Sequence, residues 1–195
     1  MLVVLSLIHC YIIPFCFLCR HGSGPYYVQF SVRLSSTDDN ATTLPSFVVE
    51  VASVQDLPHT VFRFLDMVEY GLLDQSTAMI HPTKRNPPRF LLDSQPEYRK
   101  ERKDKMRTLG FGKTALTFVE EASSKSSIIQ PSCNEHSIGF VGKGPSLQLF
   151  LAPEDEESTV CFGSVVRGAD LLTEMKAASA RGEQAHIVEV KHLIV

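Results

Sequence analysis

The chain has 195 residues, 44% of them apolar, and a formal net charge of −3. That length suits one domain with a full core and is short for two. A charge balance this close to neutral gives no electrostatic footprint for nucleic acid or for an anionic membrane surface.

Met1 to Cys19 is almost wholly apolar, interrupted by Ser6, His9 and Pro14, and ends at Arg20-His21. As a helix it would be about 28 Å long, near the thickness of a bilayer's hydrocarbon core. It reads as a secretory signal peptide or a signal anchor, which puts a targeting segment at 1–24, one domain at 25–195 and a membrane contact, if any, at 1–19. No basic residue precedes the run and no clean small-x-small site follows it, so cleaved and anchored forms both stay open. Asn40-Ala41-Thr42 is an N-glycosylation sequon in a polar loop, Ser35 to Thr43. With the N-terminal run it points to the secretory pathway: a lumen, a membrane-anchored form or secretion.

Tyr26, Val28, Phe30, Val32 and Leu34 alternate with Tyr27, Gln29, Ser31 and Arg33, the period of a half-buried strand. Phe47 to Val51 reads as a second strand. Pro58 opens a helix with Val61, Phe64, Leu65 and Val68 on one stripe, and Gly71 ends it. From Gln75 to Lys113 regular patterning dissolves among Pro82, Pro87, Pro88 and Pro96. Strand-like pieces resume at Ala115–Val119, Ser137–Val141, Leu147–Leu151 and Val160–Val166. A second helix is expected over Ala169–Ala178 and a last strand over Ile187–Val195, with Val188 and Val190 inward and Glu189 and Lys191 outward. Many short strands with two helices suggest a barrel rather than alternating β/α units.

Chemistry-bearing patterns are sparse. Cys133 and Cys161 are the two cysteines of the body, and they read as one disulfide or as two buried thiols. Cys16-x-x-Cys19 lies in the apolar run with no second ligand pair. The seven His residues have no metal-ligand spacing, and the basic run Arg99–Lys105 and the acidic run Glu154–Glu157 read as solvated loops. No phosphate-binding Gly loop is present, so no cofactor and no metal are expected.

Two phrases carry a resemblance. Pro58-His59-Thr60-Val61-Phe62-Arg63-Phe64-Leu65 through Tyr70-Gly71-Leu72-Leu73-Asp74, and Val160-Cys161-Phe162-Gly163-Ser164-Val165-Val166-Arg167-Gly168-Ala169-Asp170-Leu171-Leu172-Thr173-Glu174-Met175, resemble the first helix and the closing strand and helix of cyclophilins. Gly142-x-Gly144-Pro145 and the following Leu147–Leu151 resemble the family's groove wall. The resemblance implies a mainly β fold, a closed antiparallel barrel of about eight strands with two capping helices. It also implies a groove that takes Pro-containing or extended peptide segments of a partner protein.

In cyclophilins an Arg in a Phe-His-Arg phrase stabilises the twisted prolyl amide, whose barrier otherwise is ~18–20 kcal/mol. Here that position falls on Ile80, or on Pro82 if His81 matches the family His. Arg85 and Arg89 are the nearest replacements. Thr159 stands where the family has a His before its Val-Val-Phe-Gly phrase. Phe90, with Asp93 in place of a Gln, resembles a Phe-Met-x-Gln phrase. Gln148 and Phe150 resemble the family's Gln-x-Phe, the alternative register giving Ser146 and Gln148, and Phe140 takes a Met position. The expectation is therefore a cyclophilin-like domain that binds peptide with weak or absent isomerase activity. The alternatives are an active isomerase with a relocated Arg, and a structural interaction module with a closed groove.

Overall fold

The computed structural model describes residues 24–34, 44–81, 89–93, 104, 133–141, 147–151 and 159–193, with backbone alone at 79–81, 89, 91–93, 141, 159 and 160. Alternation builds the first hairpin. In β1 (Tyr26–Leu34) every second residue from Tyr26 to Leu34 is buried, and the residues between are half-buried. It runs antiparallel to β2 (Ser46–Val51), where Phe47 lies directly opposite Phe30 and the rings stack 4.8 Å apart.

Helix α1 (Pro58–Glu69) begins with Pro at its first position, where the missing N–H has no helical acceptor to lose. It ends where Gly71 takes φ 61°. The Gly71 N–H donates to the Val68 carbonyl and the Leu72 N–H to the Met67 carbonyl, a Schellman closure that satisfies the last turn. The turn that follows is fastened to the far end of the chain. The Val190 N–H donates to Asp74 Oδ1 at 2.8 Å, and Gln75 Nε2 donates to the Val188 carbonyl at 2.9 Å.

The remaining strands are β3 (Ser76–His81), β4 (Arg89–Asp93), β5 (Ser137–Val141), β6 (Leu147–Phe150), β7 (Thr159–Arg167) and β8 (Ala185–Leu193); α2 (Ala169–Ala180) lies between the last two. All ladders are antiparallel, in the cyclic order β1-β2-β7-β5-β6-β4-β3-β8. The sheet curls until β8 pairs with β1, Tyr27 opposite Leu193. The fold is thus mainly β, an antiparallel barrel-like sheet with two helices. Phe64 and Leu65 from α1 and Leu171, Leu172 and Met175 from α2 join the strands' inward residues in one core.

Between β7 and α2, Gly168 sits at φ 76°, and a Cβ there would stand 2.5 Å from the Ser46 carbonyl oxygen. Left-handed backbone and contact with β2 together require glycine.

Two expectations change. β3 and β4 occupy a stretch where the sequence shows no strand period, because both are short and flank prolines. Val188 is half-buried rather than in the core, and Ile187 and Val190 are the buried pair. The cause is a bulge: Val32 pairs with Ile187 but Ser31 with Glu189, so Val188 is the extra residue and parity flips. The expected strand Ala115–Val119 and the targeting segment 1–24, save Gly24, lie outside the described residues.

Candidate functional site

On β6 the pleat separates two faces. Leu147 and Leu149 belong to the main core, so Gln148 and Phe150 point to the outer face of the sheet. Both are nevertheless covered, Gln148 at 7% exposure and Phe150 at 0%. Phe150 forms a second buried cluster with Cys133 and Cys161. Those cysteines are joined as a disulfide with Cα atoms 5.4 Å apart. Of the two readings open from the sequence, the structure has the disulfide.

The disulfide fits because of what lies beneath it. Gly139 on β5 is the register partner of both Gln148 on β6 and Cys161 on β7, so no side chain stands between them. The turn carrying Cys133 is fixed on both sides. The His136 N–H donates to the Phe150 carbonyl at 2.7 Å, and the Val165 N–H donates to the His136 carbonyl at 2.9 Å. The Asn134 N–H also donates to Ser137 Oγ at 3.0 Å.

Gln148 Oε1 is buried and accepts no hydrogen bond among the described residues. A buried amide oxygen left unmet costs about 1–3 kcal/mol, so it is an acceptor in want of a donor. Arg89 on β4 is directly opposite Phe150, and His81 on β3 is directly opposite Arg89. Directly opposed positions share a face, with Cβ atoms about 5 Å apart. Positions 81 on β3, 89 on β4 and 150 on β6 therefore lie in one register row, with Gln148 two positions along its strand.

The resemblance placed Phe90 and Phe140 in a groove wall, and the structure puts both inside. Phe90 is directly opposite the inward Leu149 and fully buried in the main core. The Phe140 ring packs 4.9 Å from Phe162, which lies 4.8 Å from Phe64 of α1. An alternating strand offers two faces, and the phrase Phe90-Leu91-Leu92 is apolar on both, so the sequence did not reveal which was inward. Ile80 is the register partner of inward Phe90, and thus occupies a position on the core face rather than beside Phe150. Arg85, Pro82, Asn40, Ser146 and Gly142–Pro145 lie outside the described residues.

Among the described residues two grooves open elsewhere. One, of about 440 Å³, is lined by Ser53, Asn134, Ser137, Cys161 and Ser164. The other, of about 340 Å³, lies over β1, β2 and β7 between Tyr27, Glu50, Val166 and Arg167. There the Tyr27 hydroxyl donates to Glu50 Oε1 at 3.3 Å, and the carboxylate charge holds the phenol above its usual pKa, against a smaller opposing pull from Arg167. Sequence reading did not single out this pair, because Tyr27 and Glu50 meet only through the β1–β2 register.

Among the described residues no group of His, Cys, Asp or Glu is placed to hold a metal, and no helix is long and apolar enough to cross a membrane. Compared with models of known protein families and with curated proteins, the chain matches none.

Proposed function

We propose that the chain is a cyclophilin-like barrel that binds an extended, proline-containing segment of a partner protein across the outer face of β3, β4 and β6, with isomerase activity weak or absent. The observation that carries this reading is the shared outer face of Gln148 and Phe150, with an unmet amide oxygen on the first. A peptide N–H is the donor that oxygen lacks, and a phenyl ring is a flat apolar bed for a pyrrolidine. The strand order and the two helices support the barrel-like fold that this reading needs.

A second reading, residual isomerisation by a relocated Arg, is favoured by one fact. Arg89 is the register partner of Phe150, whereas Ile80 is on the core-face register. The disulfide also supports folding in an oxidising lumen, and with it the secretory reading of residues 1–24 and of the Asn40 sequon.

The test is binding of a fluorescent Ala-Ala-Pro-Phe peptide to the full chain, with the disulfide intact and after its reduction. Binding in at least one state, weakened about tenfold by Gln148→Ala through loss of one buried hydrogen bond, is expected. No binding in either state overturns the proposal. Arg89→Ala separates the readings: it abolishes turnover if the relocated Arg works and leaves turnover unchanged if it does not.

A further inference from the structure

We infer that the Cys133–Cys161 disulfide is a redox gate on the Phe150 face: oxidised, it closes the proline subsite, and reduced, it opens it. This rests on the peptide-binding reading above and adds its regulation.

Three observations converge. First, the disulfide packs on the ring: among the described residues Phe150, Cys133 and Cys161 form one buried cluster. The phenyl cannot receive a pyrrolidine while that cluster is closed. Second, the bond is the covalent tie between the turn bearing Cys133 and strand β7. Among the described residues the turn's other ties include a β-bridge at Cys133, the hydrogen bonds of His136 to Phe150 and of Val165 to His136, and the local Asn134–Ser137 pair. Cutting the covalent link leaves the turn on non-covalent contacts alone. Third, a reductant has a route in. Cys161 lies in the lining of the groove of about 440 Å³, beside Asn134, Ser137 and Ser164, although the residue as a whole is 3% exposed. Attack at Cys161 also makes Cys133, on the movable turn, the leaving group.

The step balances with a dithiol as reductant. A dithiol thiolate attacks Sγ of Cys161, the S–S bond breaks, and Cys133 leaves as a thiolate that takes up a proton. The second thiol then attacks the mixed disulfide, freeing Cys161 and closing the reductant's own disulfide. Two electrons pass from dithiol to cystine. The strand residue Cys161 stays in register with Gly139, so the barrel wall is undisturbed while the turn swings away.

The experiment compares the labelled Ala-Ala-Pro-Phe peptide on oxidised full chain, on chain reduced with dithiothreitol, and on chain reoxidised afterwards. If under a tenth of oxidised molecules have the ring uncovered, reduction tightens apparent affinity by about tenfold or more, and reoxidation reverses it. Cys133→Ser under non-reducing conditions behaves as the reduced protein, and Phe150→Leu removes the gain. Equal affinity in both states overturns the gate and leaves the binding site standing. Absence of binding in every state overturns the binding reading, and the gate with it. If reduction or Cys133→Ser instead abolishes the near-ultraviolet circular dichroism of the fold, the bond is structural and the gate is overturned.

Discussion

Gly168 shows how much one residue decides in this fold. Its backbone turns β7 into α2 at φ 76° while lying against Ser46 and Phe47 of β2. Gly168→Ala is expected to cost about 2–4 kcal/mol, the left-handed penalty plus displacement of β2, read as a lower urea midpoint. A change below ~0.5 kcal/mol would mean that the β2–β7 contact gives way freely. Tyr27 makes a second case, this time in charge. Its phenol is raised by Glu50, so the folded protein favours the protonated form. The resulting stability is fully present below the ordinary tyrosine range, and is lost as pH rises through the elevated folded pKa. Glu50→Gln should lower the Tyr27 pKa in an ultraviolet titration and flatten that alkaline loss; an unchanged titration would show the pair to be uncoupled. The glycine was legible in the sequence as a strand-to-helix turn, because the switch of period fell on it. The tyrosine was not, since cross-strand partners are set by register. Gln148 and Phe150 were legible as sharing a face, by spacing alone. Phe90 and Phe140 were not, because spacing says which residues face together and leaves open which way.

At the level of elements, patterns that met their full length were readable. β1 and the start of α1 match the alternation and the Pro58 signal, and α2 runs two residues beyond its apolar stripe. β3 and β4 were missed for a physical reason. Each is five or six residues long, and each takes its stability from ladders to distant strands, β3 to β8 and β4 to β6. Local propensity carries little of that information. The bulge opposite Ser31 and Val32 likewise moved Val188 out of the core, an irregularity no count of alternating residues foresees. The disulfide links β7 to the turn before β5 across 28 residues of sequence. Closing a loop of that length removes about 3–4 kcal/mol of unfolded-state entropy. Cys133→Ser with Cys161→Ser should therefore lower the unfolding free energy by that amount while the barrel still forms, as measured by guanidinium denaturation. A loss under ~1 kcal/mol would place the bond's role entirely in gating.

For the whole molecule, the resemblance made in two phrases anticipated an antiparallel barrel-like sheet with two helices, and the ladders have that form. The chemistry was less legible, because the resemblance puts the Arg position on Ile80 or Pro82, and which strand lies beside Phe150 is set only by the pairing of β4 with β6. The full chain is expected to isomerise a prolyl peptide far more slowly than an ordinary cyclophilin. A charged hydrogen bond missing from the twisted state removes about 2–4 kcal/mol, or roughly thirty- to a thousandfold in rate. A protease-coupled assay returning ordinary family rates would overturn this, and Arg89→Ala would then show whether Arg89 had assumed the role. The pairing of Tyr27 with Leu193 bears on how the protein is made. A ribosome delivers β1 first and β8 last, so the opening strand must wait with one hydrogen-bonding edge bare until nearly all the described chain has emerged. The two anchors that Asp74 and Gln75 throw onto Val190 and Val188 wait equally long. Vectorial synthesis therefore leaves an open, sticky sheet until β8 has emerged, which makes the nascent chain a client for holding chaperones. Stalled chains ending before Ala185 should be cut by protease within β1, and chains extended past Leu193 should resist.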